Sequence, residues 1–197
     1  MEEQKQEFTV EKSAKTPFFT AKKIAVMAMF SALAFAISLL EIALFPTTPA
    51  FYLELDFGNV FIMLVAFLLG PIEGVIVCAV KESLHLFVGS TGGVGELANF
   101  ITTSAYLLFP AIIYQKHKGI KTVLLSLVGA CFIASGVSLI VNRFLLIPAF
   151  GIADPSGFFS TVWGLTLAFN LIKTVSVSAL TVLLYKRLSN VLKKWKV

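Results

Sequence analysis

The sequence contains little charge and few cysteines. Asp, Glu, Lys and Arg make up 14% of its 197 residues, whereas about 25% is usual for a soluble domain. The two cysteines, Cys78 and Cys131, lie in apolar stretches without a CxxC pattern or a histidine-rich neighbour, so neither a disulfide framework nor a metal site is indicated. With 57% hydrophobic residues, the composition predicts an integral membrane protein.

The sequence also lacks the motifs of catalysis and phosphate binding. No nucleophile and base stand in a recognisable pattern, and the glycine-rich stretch 89–95 lacks the Lys-Ser or Lys-Thr pair of a phosphate-binding loop. We therefore predict a protein that is not an enzyme and that carries no cofactor or metal. The net charge of +5 does not indicate nucleic-acid binding, because most of the basic residues lie in regions that alternate with apolar stretches.

Six apolar stretches predict an all-α integral membrane protein with six transmembrane helices, since about 20 apolar residues cross a bilayer as a helix. They cover approximately residues 22–45, 57–69, 72–88, 96–114, 122–147 and 160–188. We expect residues 21–190 to form one transmembrane domain, residues 1–20 a mobile cytoplasmic tail, and residues 191–197 a basic cytoplasmic tail. The second stretch is short for a span, and the alternating pattern of residues 46–56 indicates an extended or re-entrant piece.

The distribution of basic residues predicts the topology. Thirteen of the sixteen Lys and Arg residues lie before residue 24, in the turn 116–121, or after Tyr185. The loops 46–56, 89–95 and 148–159 contain none. With six spans, the positive-inside rule then places all basic regions on one side of the membrane, with both termini in the cytoplasm.

Polar residues inside the apolar stretches are the candidates for function. A charge near the bilayer centre costs about 2.5–3.5 kcal/mol on insertion scales, so such groups pair with each other or line a cavity. The predicted topology brings nine of them to the outer half of helices three to six: Lys81, Glu82, His85, Glu96, Asn99, Asn142, Arg143, Asn170 and Lys173. We expect them to form a pocket for an uncharged polar heterocycle, with walls from Phe51, Tyr52, Leu55 and Phe57.

Structural roles for these groups remain open alternatives. The Asn side chains could join helices to each other, and His85 could be a structural histidine. Lys81 and Glu82 could be a neutralised structural pair, but adjacent residues point about 100° apart on a helix, which favours distinct partners. We expect Glu41 to lie at the headgroup level. We expect Arg143 to pair with a loop carboxylate such as Glu96 or Asp154.

The first predicted helix carries a face of small residues. Ala28, Ala32 and Ala36 follow one another at a spacing of four, which places them on one side of a helix. Such a face allows another helix to approach closely, either within this protein or from a partner.

Short stretches along the chain resemble the substrate-binding S-components of energy-coupling factor (ECF) vitamin transporters, and among them those specific for riboflavin. They are residues 52–57, 70–74, 80–82, 96–100, 142–148, 169–173 and 184–188. The resemblance implies a six-helix substrate-binding domain without enzymatic activity. It also implies a membrane-embedded coupling subunit as partner, contacted by Ala28, Ala32 and Ala36, and two cytoplasmic ATPases that drive transport.

The resemblance further implies a set of ligand-binding residues. The riboflavin pattern corresponds here to Leu53, Glu54, Leu55, Asp56, Asn99, Asn142, Asn170 and Lys173. We add Lys81 and Glu82 to this set because they lie in the polar segment that organises the pocket. The ligand would be transported riboflavin rather than a bound cofactor.

The sequence departs from the riboflavin pattern at three positions. Glu54, Glu82 and Arg143 stand where a small polar residue, an Asn and an aromatic residue are usual. Because of these departures, the alternative that the ligand is another vitamin, such as pantothenate, remains open. Two further alternatives are a stand-alone transporter in which Lys81, Glu82 and His85 relay protons, and a signalling or assembly protein that uses the helices only for packing.

Overall fold

The computed structural model describes residues 20–89, 91–117 and 119–194, with side chains described as far as Tyr185. The predicted tail 1–20 lies outside the described residues apart from Thr20, as do residues 195–197 of the C-terminal tail. The prediction of an all-α fold with six helices is confirmed in the described part of the chain. The helices are α1 (Ala21–Ser38), α2 (Asn59–Leu68), α3 (Pro71–His85), α4 (Val94–Lys116), α5 (Ile120–Ala149) and α6 (Pro155–Lys194).

Four helices are long and apolar enough to cross a membrane, namely α1, α4, α5 and the part of α6 up to Tyr185. Large apolar side chains cover the outside of the bundle, such as Leu125, Phe132 and Leu183, which are 75%, 68% and 69% exposed. Such a surface is stable only against lipid. The chain is a membrane protein.

The short helix α2 lies at the centre of the bundle, and the short helix α3 packs against it with one side exposed. Ile62 and Leu64 of α2 have no exposed surface. Because α2 is enclosed, it carries apolar residues on all of its sides. Gly70 has a φ of 140° and precedes Pro71, so the chain reverses sharply between the two helices. A Cβ atom on Gly74 would lie 2.6 Å from the Cβ of Ala66, so α2 and α3 pack against each other with almost no space between them.

A small hairpin replaces the last two turns predicted for the first helix. Strand β1 (Ile42–Ala43) pairs antiparallel with β2 (Glu54–Leu55), with Ile42 opposite Leu55 and Ala43 opposite Glu54. Hydropathy alone extends the first helix to residue 45, because it does not distinguish an apolar strand from an apolar helix. The extended conformation predicted within 46–56 is present at β2. Leu55 packs with Ile147 and Val162, which fixes the hairpin to the bundle.

Helix α5 changes its winding near its end. A π-helical turn, Asn142–Leu146, follows the regular part of the helix, which then continues past Pro148 to Ala149. The predicted end of this helix at residue 147 is therefore two residues early. Single π turns widen a helix and frequently occur at functional sites. Helix α6, with 40 residues, is about 60 Å long, roughly twice the thickness of the hydrocarbon core.

Candidate ligand-binding site

A cavity of about 290 Å³ lies at the end of the bundle where α1, α3 and α5 end and α4 and α6 begin. We call this the cavity end. The hairpin and all helices except α2 contribute to its lining. This size is close to the lower end of small-molecule pockets, which start at about 300 Å³.

Nine of the ten predicted ligand residues line this cavity. They are Leu53, Glu54, Asp56, Lys81, Glu82, Asn99, Asn142, Asn170 and Lys173. The tenth, Leu55, lies in the core behind the hairpin and is 6% exposed. Side chains alternate between the two sides of a strand, so Glu54 borders the cavity while Leu55 packs into the core. The role of the nine residues in binding stays a prediction.

Two cations and two carboxylates form the deep wall of the cavity, which we call the inner network. The ammonium group of Lys81 lies 2.7 Å from Asp56 Oδ2 and 3.0 Å from Glu82 Oε1. Asn99 Nδ2 donates to Glu82 Oε1 at 2.5 Å and its Oδ1 accepts from Lys173 Nζ at 2.8 Å. The charges of these groups cancel, so burial of each is compensated by its partners.

The inner network corrects one expectation. Lys81 and Glu82 do not have wholly distinct partners, because Lys81 contacts both Asp56 and Glu82. The long, flexible stem of the lysine reaches around the helix and overcomes the angular offset of adjacent residues. Lys173 meets Glu82 only through Asn99, so it does not neutralise that carboxylate by direct contact.

Asp56 lies just before α2 and is ionised in this network. Burial raises the pKa of its carboxyl, but the ammonium groups of Lys81 and Lys173, together with hydrogen bonds from Lys81 and the Gly58 N–H, bring the pKa below its ordinary value. The Gly58 N–H donates to Asp56 Oδ1 at 2.6 Å. The Asp56 carboxylate thus fixes the backbone just before α2 and also pairs with Lys81 in the deep wall of the cavity.

Two carboxyl groups, Glu41 and Glu96, contact the imidazole of His85, and Glu54 lies beside Glu41. We call these four residues the mouth cluster. His85 Nε2 lies 3.1 Å from Glu41 Oε1, and His85 Nδ1 lies 3.3 Å from Glu96 Oε1. Thr91 donates to the other oxygen of Glu96 at 2.7 Å. A neutral imidazole has one donor, so two such contacts require either an imidazolium or a protonated carboxyl.

The structure places an exchangeable proton in this cluster. Burial raises the pKa of Glu41 to about 8, and its hydrogen bond with Glu54 and the charges of Glu54 and Asp56 act in the same direction. Glu41 follows the end of α1 at Ser38, borders the cavity and contacts His85. Its expected position at the headgroup level stays a prediction.

The predicted pairing of Arg143 with Glu96 or Asp154 is wrong among the described contacts. The Arg143 guanidinium donates to Ser156 Oγ at 2.9 Å and to the Pro155 carbonyl at 3.4 Å. Asp154 accepts from the backbone N–H groups of residues 156 and 157 at the start of α6, and Glu96 is engaged by the mouth cluster. Arg143 is absent from the lining of the cavity.

The Asn side chains of α5 and α6 are bonded mainly within their own helices. Asn170 Nδ2 donates to the Thr166 carbonyl at 2.8 Å, and Asn142 Nδ2 donates to the Ser138 carbonyl at 2.9 Å. Asn142 Oδ1 also accepts from the Tyr52 hydroxyl at 3.2 Å. The described bond of Asn170 therefore does not join helices, which favours its availability to a ligand.

The apolar walls differ from the prediction. Tyr52 lines the cavity, but Phe51 is 62% exposed and neither it nor Leu55 or Phe57 borders the cavity. The apolar lining residues are instead Leu39, Leu53, Val88, Ala98, Leu146, Phe150 and Phe169. The rings of Tyr52 and Phe150 meet edge to face with centroids 5.6 Å apart. Sequence reasoning missed Phe150 because it follows the proline that predicts the end of α5.

The alanine face of α1 is directed away from the bundle. Ala28, Ala32 and Ala36 are exposed, while Phe30 and Ala34 on the opposite side are buried. Packing of this face within the protein, one of the two alternatives, is therefore wrong.

Comparison with known proteins agrees with this architecture. The sequence model of the family "ECF transporter, substrate-specific component" matches residues 22–185. The chain belongs to this family. The structure described as "Structure and mechanism of the S component of a bacterial ECF transporter" superposes with a TM-score of 0.76 at 32% identity, covering 87% of this chain and 98% of that one.

Two relatives bear names that specify a transported compound. The riboflavin transporter RibU of Staphylococcus aureus (strain TCH60) is 34% identical over 179 residues, 88% of this chain and 93% of its own. The riboflavin transporter FmnP of Bacillus subtilis (strain 168) is 30% identical over 177 residues, 85% of this chain and 92% of its own.

Proposed function

We propose that this chain is the substrate-specific subunit that binds riboflavin, or a closely related flavin, for uptake across the bacterial plasma membrane. The observation that carries the proposal is the convergence of nine predicted ligand residues on one cavity, seven of which correspond to the riboflavin-type pattern. The two relatives named as riboflavin transporters support the choice of ligand. The subunit acts by binding and carries no catalytic step.

The chemistry of the cavity suits an isoalloxazine ring with a hydroxylated side chain. Amide groups donate to ring carbonyls and accept from a ring N–H, and Asn142 and Asn170 supply them from two helices. Phe150, Phe169 and Tyr52 offer apolar surface to the faces and edges of the ring. The carboxylates of the hairpin accept hydrogen bonds from hydroxyl groups.

Titration of the purified protein tests this proposal through the quenching of riboflavin fluorescence. Removal of a ligand hydrogen bond in a desolvated site costs about 1–3 kcal/mol, which is roughly 5- to 150-fold in Kd. We expect such a loss in Asn170→Ala. The matched control is Gln115→Ala, which removes an exposed amide from α4 outside the cavity and leaves Kd unchanged. Equal affinities for wild type and Asn170→Ala contradict the assigned site.

The proposal includes the topology predicted from the loop charges. Both termini lie in the cytoplasm, and the cavity end faces the outside, where it captures the vitamin. Cysteine labelling of intact cells measures this: a cysteine at the exposed position Ala153 reacts with a membrane-impermeant reagent, and one at the exposed position Gln115 does not. Since Cys78 and Cys131 are buried, they give little background.

We also propose that the alanine face of α1 docks on the coupling subunit, which associates with two cytoplasmic ATPases. Close helix approach needs small side chains, and these alanines are exposed. Ala32→Trp should abolish co-purification with the coupling subunit while riboflavin still binds. A tryptophan at Leu125, exposed on α5, is the matched control, and loss of the complex in both variants contradicts the assignment.

A different vitamin is the second candidate ligand. Glu54 and Glu82, which depart from the riboflavin pattern, both line the cavity. Arg143, the third departure, lies outside it and gives no support to a different ligand. Binding of pantothenate without any binding of riboflavin would favour this candidate.

A further inference from the structure

A second, much smaller cavity shares a wall with the large one. Its volume is about 10 Å³, which is about what a single water molecule needs. Four residues border both cavities and so form the wall between them: Asn99, Thr102, Asn170 and Lys173. Three of these four are predicted ligand residues, so a molecule bound in the small cavity lies next to groups that are proposed to hold the vitamin.

Asn59, the first residue of α2, contributes an unsatisfied amide oxygen to the small cavity. This residue is 3% exposed and lines the small cavity but not the large one. Its Oδ1 has no hydrogen-bond partner among the described residues. The N–H groups of the next two residues, Val60 and Phe61, already donate to backbone carbonyls, so they do not serve it. Because a buried acceptor without a donor is costly, this oxygen needs a partner inside the cavity.

The other unpartnered polar atoms do not need a bound molecule. They are the buried hydroxyl groups of Ser104, Thr166 and Thr181, and none of these residues lines either cavity. A hydroxyl group on a helix can rotate and donate to the carbonyl one turn earlier, whereas an amide oxygen only accepts. Among the described residues that line the small cavity, Asn59 therefore carries a buried acceptor that the protein itself does not satisfy.

Lys173, in the wall between the two cavities, has unused N–H donors. An ammonium group carries three donors, and the one described hydrogen bond of Lys173 goes to Asn99 Oδ1 at 2.8 Å. Two donors therefore remain for the two cavities that this residue borders. A water molecule both accepts and donates, so it can receive a hydrogen bond from Lys173 and give one to Asn59.

We propose that the small cavity binds one water molecule, which accepts a hydrogen bond from Lys173 Nζ and donates one to Asn59 Oδ1. This makes Asn59 a positioning residue, because it does not border the large cavity and acts on the ligand only through Lys173. The positioning role rests on the function proposed above, since it takes riboflavin as the ligand that Lys173 meets. Bridging waters are nearly as favourable as direct hydrogen bonds, so the bridge fixes the ammonium group within the wall.

Titration of three variants with riboflavin tests the positioning role. Asn59→Leu has a similar volume but no acceptor, and we expect its Kd to rise about fivefold or more, as for the loss of one hydrogen bond to a charged group. Asn59→Asp keeps an acceptor oxygen and should stay within about threefold of the wild type. Thr181→Val is the matched control, because it removes a fully buried, unpartnered hydroxyl group outside both cavities and leaves Kd unchanged.

Combination with Lys173→Met separates positioning from general packing. If Asn59 acts through Lys173, then Asn59→Leu should weaken binding no further once residue 173 has lost its ammonium group. A merely structural role of Asn59 would give the same loss with and without that group. Such an equal loss, or an equal loss in Asn59→Leu and Asn59→Asp, refutes the positioning role.

The water itself is tested by crystal structures of the wild type and of Asn59→Leu, at a resolution that shows ordered water. We expect electron density for one water molecule within hydrogen-bond distance of Asn59 Oδ1 and Lys173 Nζ in the wild type, and none in the variant. A wild-type cavity without such density, or a direct contact between Asn59 and Lys173, overturns the proposal. This result does not depend on the ligand, so a wild type that binds no riboflavin refutes the proposed function and the positioning role but not the water site.

Discussion

Lys81 offers the sharpest test of the inner network. Its side chain has no exposed surface, and its ammonium group contacts two buried carboxylates at 2.7 and 3.0 Å. The change Lys81→Met keeps the volume of the stem but leaves Asp56 and Glu82 without their cation. Breaking a buried pair on one side costs about 3–5 kcal/mol. For a chain of this size, one kcal/mol shifts Tm by about 2–4 °C, so we expect Tm to fall by about 6–20 °C.

The assay is thermal unfolding of the detergent-purified protein, followed by the loss of helical circular dichroism. Lys121→Met is the control, because this lysine is exposed at the start of α5 and its loss should leave Tm within about 2 °C. A second variant, Lys81→Met with Asp56→Asn, removes one charge of each sign, so that Lys173 and Glu82 stay balanced, and should recover part of the lost stability. A Tm drop that is small, or equal in the control, would refute the reasoning.

Two further predictions concern pH and packing. Glu41 has a folded-state pKa of about 8 against an ordinary 4.5, so the folded state holds its proton more tightly; this contribution to stability is fully present below pH 4.5 and is lost as pH rises through 8. Glu41→Gln should therefore flatten the decline in Tm across that range, and an unchanged slope would contradict the assignment. Gly74→Ala should lower Tm, because its Cβ would lie 2.6 Å from the Cβ of Ala66, whereas Gly136→Ala has open space and should raise it through helix propensity. A Tm change of the same sign in both variants would contradict this account of the packing.

The fold was predictable from the sequence because lipid imposes a simple pattern. Every backbone group must be bonded within the segment that crosses the bilayer, so long apolar stretches give helices. The hydropathy pattern alone could not predict the hairpin, because the residues of β1 continue the apolar stretch of α1. The pattern does indicate that the second apolar stretch is short for a span, but it could not show that α2 is enclosed by the other helices.

The site was predictable where residues lie on helices, and less so where they lie in loops. Asn99, Asn142, Asn170 and Lys173 are polar positions inside apolar helices, and the alternating direction of the helices brings them to one end. The contact of Glu41 with His85 was not predicted, because it depends on where α1 stops. The apolar walls were misplaced for the same reason, since the hairpin, and not the sequence pattern, decides which side chains face the cavity.

The contacts of Arg143 show the limit of pairing charges by sequence. Its predicted partners, Glu96 and Asp154, each contact or hydrogen-bond to groups nearby in the fold instead. Glu96 is held by His85 and Thr91, and Asp154 accepts from the first N–H groups of α6. Local hydrogen bonds thus take precedence over a formal match of opposite charges.

The measurement that tests the central claim most directly is the visible absorption spectrum of the protein, purified in detergent from a host grown with ample riboflavin. A flavin held in the cavity through purification gives a yellow preparation. We predict a yellow wild type, and an Asn170→Ala variant that is colourless while its helical content is unchanged. A colourless wild type that also fails to quench the fluorescence of added riboflavin would contradict the claim that this cavity binds riboflavin.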